Sequence, residues 1–146
     1  DRTVEVAEVI IDDAPRKFTE LCRSVCGDDE LSAQLIAREE ESSTVLTPEV
    51  AIPHITIPGE GVLKLVIVRN MSGVYFRPDA DSVKTVIFLF VTGDKRNMYL
   101  KSLAAIAQII QSPSFEKRWA RANNEEKIRD LLLLSKRRRY HHQAKD

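Results

Sequence analysis

Residues 83–91 read VKTVIFLFV, and the segment ends in six uninterrupted apolar residues. A short run of this kind, rich in β-branched and aromatic side chains, predicts a central strand covered on both faces. Thr92-Gly93-Asp94 breaks it. A long helix is expected next, from about Arg96 to Gln111, with Leu100, Leu103, Ala104, Ala107 and Ile110 along its apolar stripe. Ser112-Pro113 then starts a short helix holding Phe115 and Trp119. Asn123 or Asn124 caps a last helix that buries Ile128, Leu131 and Leu132.

Upstream of the central strand, residues 62–69 (VLKLVIVR) read as a strand, and Gly73 to Phe76 as another short one before a loop at Arg77-Pro78-Asp79. Residues 4–11 (VEVAEVII) mix alternation with an apolar end, as a strand does. Asp12 and Asp13 ahead of Ala14-Pro15 open a helix, Phe18, Leu21, Cys22 and Val25 recur at helical spacing, and Gly27 closes it. Asp28 or Asp29 caps a second helix with Leu31, Leu35 and Ile36 inward, ending in Arg38 and the acidic run Glu39 to Glu41. Between 42 and 61, Pro48, Pro53, Pro58, Gly59 and Gly61 indicate turns and short extended pieces. Strands alternating with helices predict a single α/β domain, a mixed sheet of about five strands with helices on both faces.

Size and charge agree with one domain. A chain of 146 residues buries roughly 68–70% of its unfolded surface without staples. With 43% hydrophobic and 30% charged residues, the balance is globular and argues against disorder. The 22 basic and 22 acidic side chains cancel, so no global field draws the chain to nucleic acid or to an anionic membrane. The apolar runs fall far short of the ~20 residues of a spanning helix. Cys22 and Cys26 are one helical turn apart and have no second ligand cluster, so they read as buried, reduced thiols of a reducing compartment. No metal and no cofactor is expected. Residues 135–146, SKRRRYHHQAKD, read as a basic, frayed tail; the KRRR run could touch phosphates or lipid head groups, but it is short and lacks interleaved aromatics.

Of three histidines, His141 and His142 lie in that tail and His54 stands alone. There is no GxxxxGK[ST] loop, no GxGxxG and no H-x-x-x-H pair, and Ser72-Gly73 is a turn, not a nucleophile elbow. A lone histidine can be an inert residue at a strand end. His54, however, is bracketed by Pro53 and Pro58 and placed between expected strands, where a scaffold presents functional groups. Arg38, Ser42, Ser43 and Thr44 lie upstream. A neutral imidazole is a fair nucleophile near neutral pH, and attack on a phosphoryl group needs donors of the arginine, hydroxyl or backbone N–H type. Spacing alone does not say whether these groups converge.

The segments Arg38-Glu39-Glu40-Glu41-Ser42-Ser43-Thr44 and Ala51-Ile52-Pro53-His54 resemble the "REE…ST…AIPH" signature of the fructose–mannitol type enzyme IIA domain of the bacterial phosphoenolpyruvate-dependent sugar phosphotransferase system. Val83 to Val91 is similar to that family's central strand, and Asn97 to Ile110 to the helix after it. The resemblance spans about residues 4 to 134, leaving 135–146 as a tail beyond an enzyme IIA-like domain of residues 1–134. It implies His54 as phospho-acceptor, taking phosphate from an HPr-like phosphocarrier and passing it to a IIB domain. It implies Arg38 as the holder of phosphoryl oxygens, with Ser43 and Thr44 shaping the phosphate pocket. Many members carry a second histidine in an "HL" pair opening the long helix; here that place is Tyr99-Leu100. The wording REEESSTVL, AIPHI, LAAIAQI and LLLLSKRRR is similar to a subgroup fused to the cytoplasmic ends of membrane transporters. That resemblance implies a cytoplasmic regulatory domain of a bacterial inner-membrane transporter, with the transporter in the same chain. Asp1 at the start, in place of Met, fits a fragment of such a chain. The alternative is an active phosphohistidine carrier, in which case the chain works as a phosphotransferase. A homodimer is left open.

Overall fold

The computed structural model describes residues 5–77 and 82–131. Two long antiparallel strands form its centre: β6 (Leu63–Tyr75) and β7 (Val83–Thr92). Every residue from Thr85 to Thr92 is buried, which is why this segment reads as uninterrupted apolar sequence. Its side chains alternate between two cores. Ile87, Leu89 and Val91 face one, Val86, Phe88 and Phe90 the other. Each such side chain contributes about 1.5–3 kcal/mol when fully buried.

Among the described residues the sheet has seven strands laid in five rows. β1 (Glu5–Ile11) and β2 (Arg16–Lys17) follow one another along the outer edge of β6, both parallel to it. β4 (Val50–Ala51) and β5 (His54–Ile57) follow one another along the other edge of β7, again parallel. β3 (Val45–Thr47) pairs antiparallel with β4 and ends the sheet. The expected mixed sheet of about five strands is therefore present, the two rows that flank β6 and β7 each divided into short pieces.

Helices cover both faces. α1 (Phe18–Cys26) and α2 (Asp29–Glu41) pack Phe18, Leu21, Cys22 and Leu35 on the Phe88 side. Phe18 ties α1 down through stacked rings, 4.3 Å from Phe76 and 6.2 Å from Phe88 between centroids. α3 (Arg96–Ile110), α4 (Phe115–Arg121) and a further helical segment over 125–131 cover the Ile87 side with Ile106, Ile109, Phe115, Trp119 and Ile128. The Trp119 indole Nε1 donates to the buried Thr85 Oγ1 at 2.6 Å, locking α4 to β7.

Local signals explain most boundaries. Gly27 ends α1 in the left-handed conformation, φ 64°. The Asp28 carboxylate caps α2 by accepting from the amides of Glu30 and Leu31. The Asn124 side chain accepts from the Lys127 amide and caps the last helical segment.

Three expectations are corrected. α1 begins at Phe18, not near Pro15, because Arg16 and Lys17 pair with β6 and the Glu20 carboxylate takes the Lys17 amide. The two strands expected at 62–69 and 73–76 are one, β6, interrupted by a bulge in which the Asn70 side chain accepts from the amides of Ser72 and Gly73. α3 meets the sheet through Tyr99, Ser102, Ile106, Ile109 and Ile110, while Leu100 is 46% exposed. This helix is apolar around most of its circumference, so its apolar pattern does not select a single face. Expectations for Val4, Pro78, Asp79, Leu132 and the tail from 135 lie outside the described residues.

Candidate functional site

The row that holds β4 and β5 is broken at Ile52-Pro53. Proline has no N–H for the ladder. Its carbonyl still accepts from the Leu89 amide at 2.9 Å, so the chain stays registered on β7. The Ile52 backbone is turned outward at this break. Its N–H donates to the Thr44 carbonyl at 3.0 Å, and its carbonyl lies 3.1 Å from the Nδ1 atom of His54. His54 is thus the first residue of β5, with a loop-like break behind it, where sequence alone predicts a loop. A carbonyl oxygen only accepts, so the proton of the neutral imidazole sits on Nδ1 and the lone pair on Nε2.

Nε2 faces Arg38. The guanidinium Nη2 lies 3.5 Å from it. Arg38 comes from the last turn of α2, where a cation also complements the helix C-terminus. The ring is half-buried, not walled in. Beside it is Tyr99, from the first turns of α3, with ring centroids 5.6 Å apart and planes inclined by 40°. Tyr99 is 7% exposed. Burial pushes its phenol above the usual tyrosine range, partly opposed by the charges of Arg38 and Arg96. It stays a neutral hydrogen-bond donor at neutral pH.

His54 and Arg38 border a cavity of about 330 Å³. Arg38, Ser42, Ser43, Thr44 and His54 all line it, with Leu103 and Ala107 of α3 opposite. Val45 and Leu46, 41% and 37% exposed, form an apolar rim. The structure therefore brings together Arg38, Ser43, Thr44 and His54, which the sequence offered as separate pieces, and seats Tyr99 against the imidazole.

Thr44 differs in detail from a phosphate ligand. Its Oγ1–H donates to Glu39 Oε1 at 2.5 Å, and its amide donates to Glu39 Oε2 at 2.9 Å. Because its hydroxyl proton is committed to Glu39, Thr44 holds the loop instead of offering a donor to an anion. Ser43 Oγ accepts from the Val45 amide at 3.2 Å, which leaves its proton to be turned elsewhere.

Glu39 was missed as a site residue. The signal was present: Ser32, Leu35 and Glu39 share the buried face of α2, and a carboxylate on that face needs a partner. The cysteines keep their plain reading as free thiols. Burial pushes both above the usual range, Cys26 to about 11, so neither is an activated nucleophile. Among the described residues no group of three or more His, Cys, Asp or Glu could hold a metal ion, and no helix is long and apolar enough to cross a membrane.

Fold and site together define a class: a single α/β domain that presents one histidine, with a guanidinium at Nε2, in a small open cleft. The family profile described as "Phosphoenolpyruvate-dependent sugar phosphotransferase system, EIIA 2" matches residues 8–134. The chain belongs to that family. Solved structures share the fold. Nitrogen regulatory protein IIA-Ntr from Neisseria meningitidis is 24% identical, with a TM-score of 0.68 over 86% of this chain and 92% of that one. IIA mannitol from Escherichia coli is 20% identical, with a TM-score of 0.63 over 86% and 94% of the two chains. A complex of the mannitol enzyme IIA with phosphorylated enzyme IIB from Escherichia coli aligns at 17% identity and a TM-score of 0.64, over 89% and 98%. No curated protein matches.

Proposed function

We propose that His54 accepts a phosphoryl group on Nε2 from an HPr-like phosphocarrier, and that its phosphorylation regulates a membrane transporter to which this cytoplasmic domain is joined. One observation supports the acceptor role above the others: the Nδ1–H···O=C bond to Ile52 leaves the Nε2 lone pair facing Arg38 in an open cleft. In the transfer, that lone pair attacks phosphorus and the N–P bond to the donor breaks. The donor's nitrogen keeps the electron pair. Positive charge grows on the His54 ring as Nε2 is phosphorylated, and the Ile52 carbonyl stabilises the Nδ1–H that carries it. Arg38 neutralises phosphoryl oxygens, a fixed charge of the kind that lowers such barriers most. Ser43, which lines the cleft, is a further donor there.

Incubation with phosphoenolpyruvate, enzyme I and HPr should label the domain with acid-labile phosphate, and His54→Ala should abolish the label. Absence of label on the folded wild-type domain would refute the acceptor role. Transport by the parent chain should change between wild type and His54→Ala when the phosphoryl donors are present. Equal transport would leave the domain without regulatory effect.

The likeness to a IIA solved with phosphorylated IIB supports a second reading, a carrier that hands phosphate onward to a IIB domain. Loss of label from phosphorylated His54 on adding a IIB domain would favour it.

A further inference from the structure

We infer that Glu39 is a positioning residue for His54, acting through Thr44 and the Ile52 backbone. The links are continuous. Both Glu39 carboxylate oxygens accept from Thr44, one from the hydroxyl and one from the amide. The Thr44 carbonyl accepts the Ile52 amide at 3.0 Å. The Ile52 carbonyl takes the Nδ1 proton of His54 at 3.1 Å.

Glu39 is also the neighbour of Arg38 on α2. One helical turn therefore addresses both ring nitrogens. Arg38 meets Nε2 directly, and Glu39 governs Nδ1 across the 42–52 segment. A shift of α2 along its axis moves the charge at one end of the imidazole and the carbonyl at the other together, so the geometry stays matched.

The burial of Glu39, 7% exposed, gives the arrangement its stiffness. A carboxylate removed from water needs hydrogen bonds to offset the lost solvation, and Thr44 supplies two. Without them the 42–45 loop has less reason to hold its course, and Ile52 loses its fixed partner. Only the long 3.5 Å contact of Arg38 at Nε2 then opposes the other tautomer, and the imidazole samples both neutral forms. With the proton on Nε2, it has no lone pair facing the cleft and cannot attack.

The consequence for phosphoryl transfer rests on the acceptor reading above; the tautomer of the unphosphorylated ring does not. Nitrogen NMR of the folded domain should show neutral His54 with its proton on Nδ1. Thr44→Val should give a mixture of tautomers and slow phosphorylation from HPr by up to about 100-fold, as small misplacements of a reacting group do. Thr44→Ser, which keeps the hydroxyl, should retain both properties. Glu39→Ala should match or exceed the valine variant, and if it does not fold, the Thr44 pair decides. A folded Thr44→Val domain that keeps Nδ1–H and the wild-type labelling rate would overturn the inference. So would a Thr44→Ser variant as impaired as the valine one. If even wild type takes no phosphate, the acceptor role falls while the tautomer result still decides the relay.

Discussion

Replacing Arg38 by Gln removes the one cation that contacts the His54 ring among the described residues. The guanidinium Nη2 lies 3.5 Å from Nε2, so phosphoryl oxygens bonded to that nitrogen would sit within direct reach of the charge. At about 4 Å, two unit charges attract by about 1 kcal/mol in water and about 4 kcal/mol at the effective dielectric near a protein surface. Arg38 is exposed but leans over a half-buried ring, which places the effect between these limits. At about 2 kcal/mol the rate falls by about 30-fold, since each 1.36 kcal/mol is a factor of ten. The assay is rapid-quench phosphorylation from labelled phosphoenolpyruvate through HPr, compared between wild type and Arg38→Gln at low and high salt. The gap should narrow as salt rises, because an exposed charge is screened. Arg38→Lys should fall between the two, keeping the charge but losing the planar fork. A glutamine variant that is phosphorylated at the wild-type rate in low salt would refute the role assigned to this charge.

Three further outcomes concern the frame around the site. Trp119→Phe leaves the buried Thr85 hydroxyl without its donor and should lower stability by about 1–3 kcal/mol; adding Thr85→Val should recover part of that loss in denaturant unfolding, and no recovery would mean the cost lies in packing instead. Cys22, Cys26 and Tyr99 all have raised pKa values, with burial the largest cause. Their neutral forms are favoured in the fold, so stability should be intact below pH 9 and fall as pH rises through the thiol and phenol range; a flat alkaline profile would contradict this. Gly73 has φ 103°, and a Cβ there would collide with the Ser82 side chain; Gly73→Ala should cost about 1–3 kcal/mol, and an unchanged melting temperature would show that the bulge relaxes freely.

Sequence makes some of this architecture plain and hides the rest for physical reasons. β7 is legible because burial on both faces leaves its sequence no polar positions from Val86 to Val91. The α2 cap at Asp28 and the α1 stop at Gly27 are legible because each is a local backbone requirement. β2 and β4 are not. Each has two residues, and they are extended only because β6 and β7 offer them open edges. The inward face of α3 is hidden as well: Leu100 is apolar and points out, while Ser102 is polar and buried. At the site, His54 stands out by residue type and its flanking prolines, and Arg38 by the resemblance to the REE…AIPH signature. Their convergence depends on the Ile52-Pro53 break and on the end of α2 reaching the cleft, which are tertiary facts. The burial of Glu39 can be read from its spacing with Ser32 and Leu35, but its partner Thr44 cannot, since that contact too is a tertiary fact.

The sharpest single test is to phosphorylate the domain through HPr and locate the phosphate by combined phosphorus and nitrogen NMR. The phosphoryl group is expected on Nε2 of His54, with Nδ1 still hydrogen-bonded to Ile52. Phosphate on Nδ1, on another residue, or on none, with the domain folded, would contradict the mechanism at its centre.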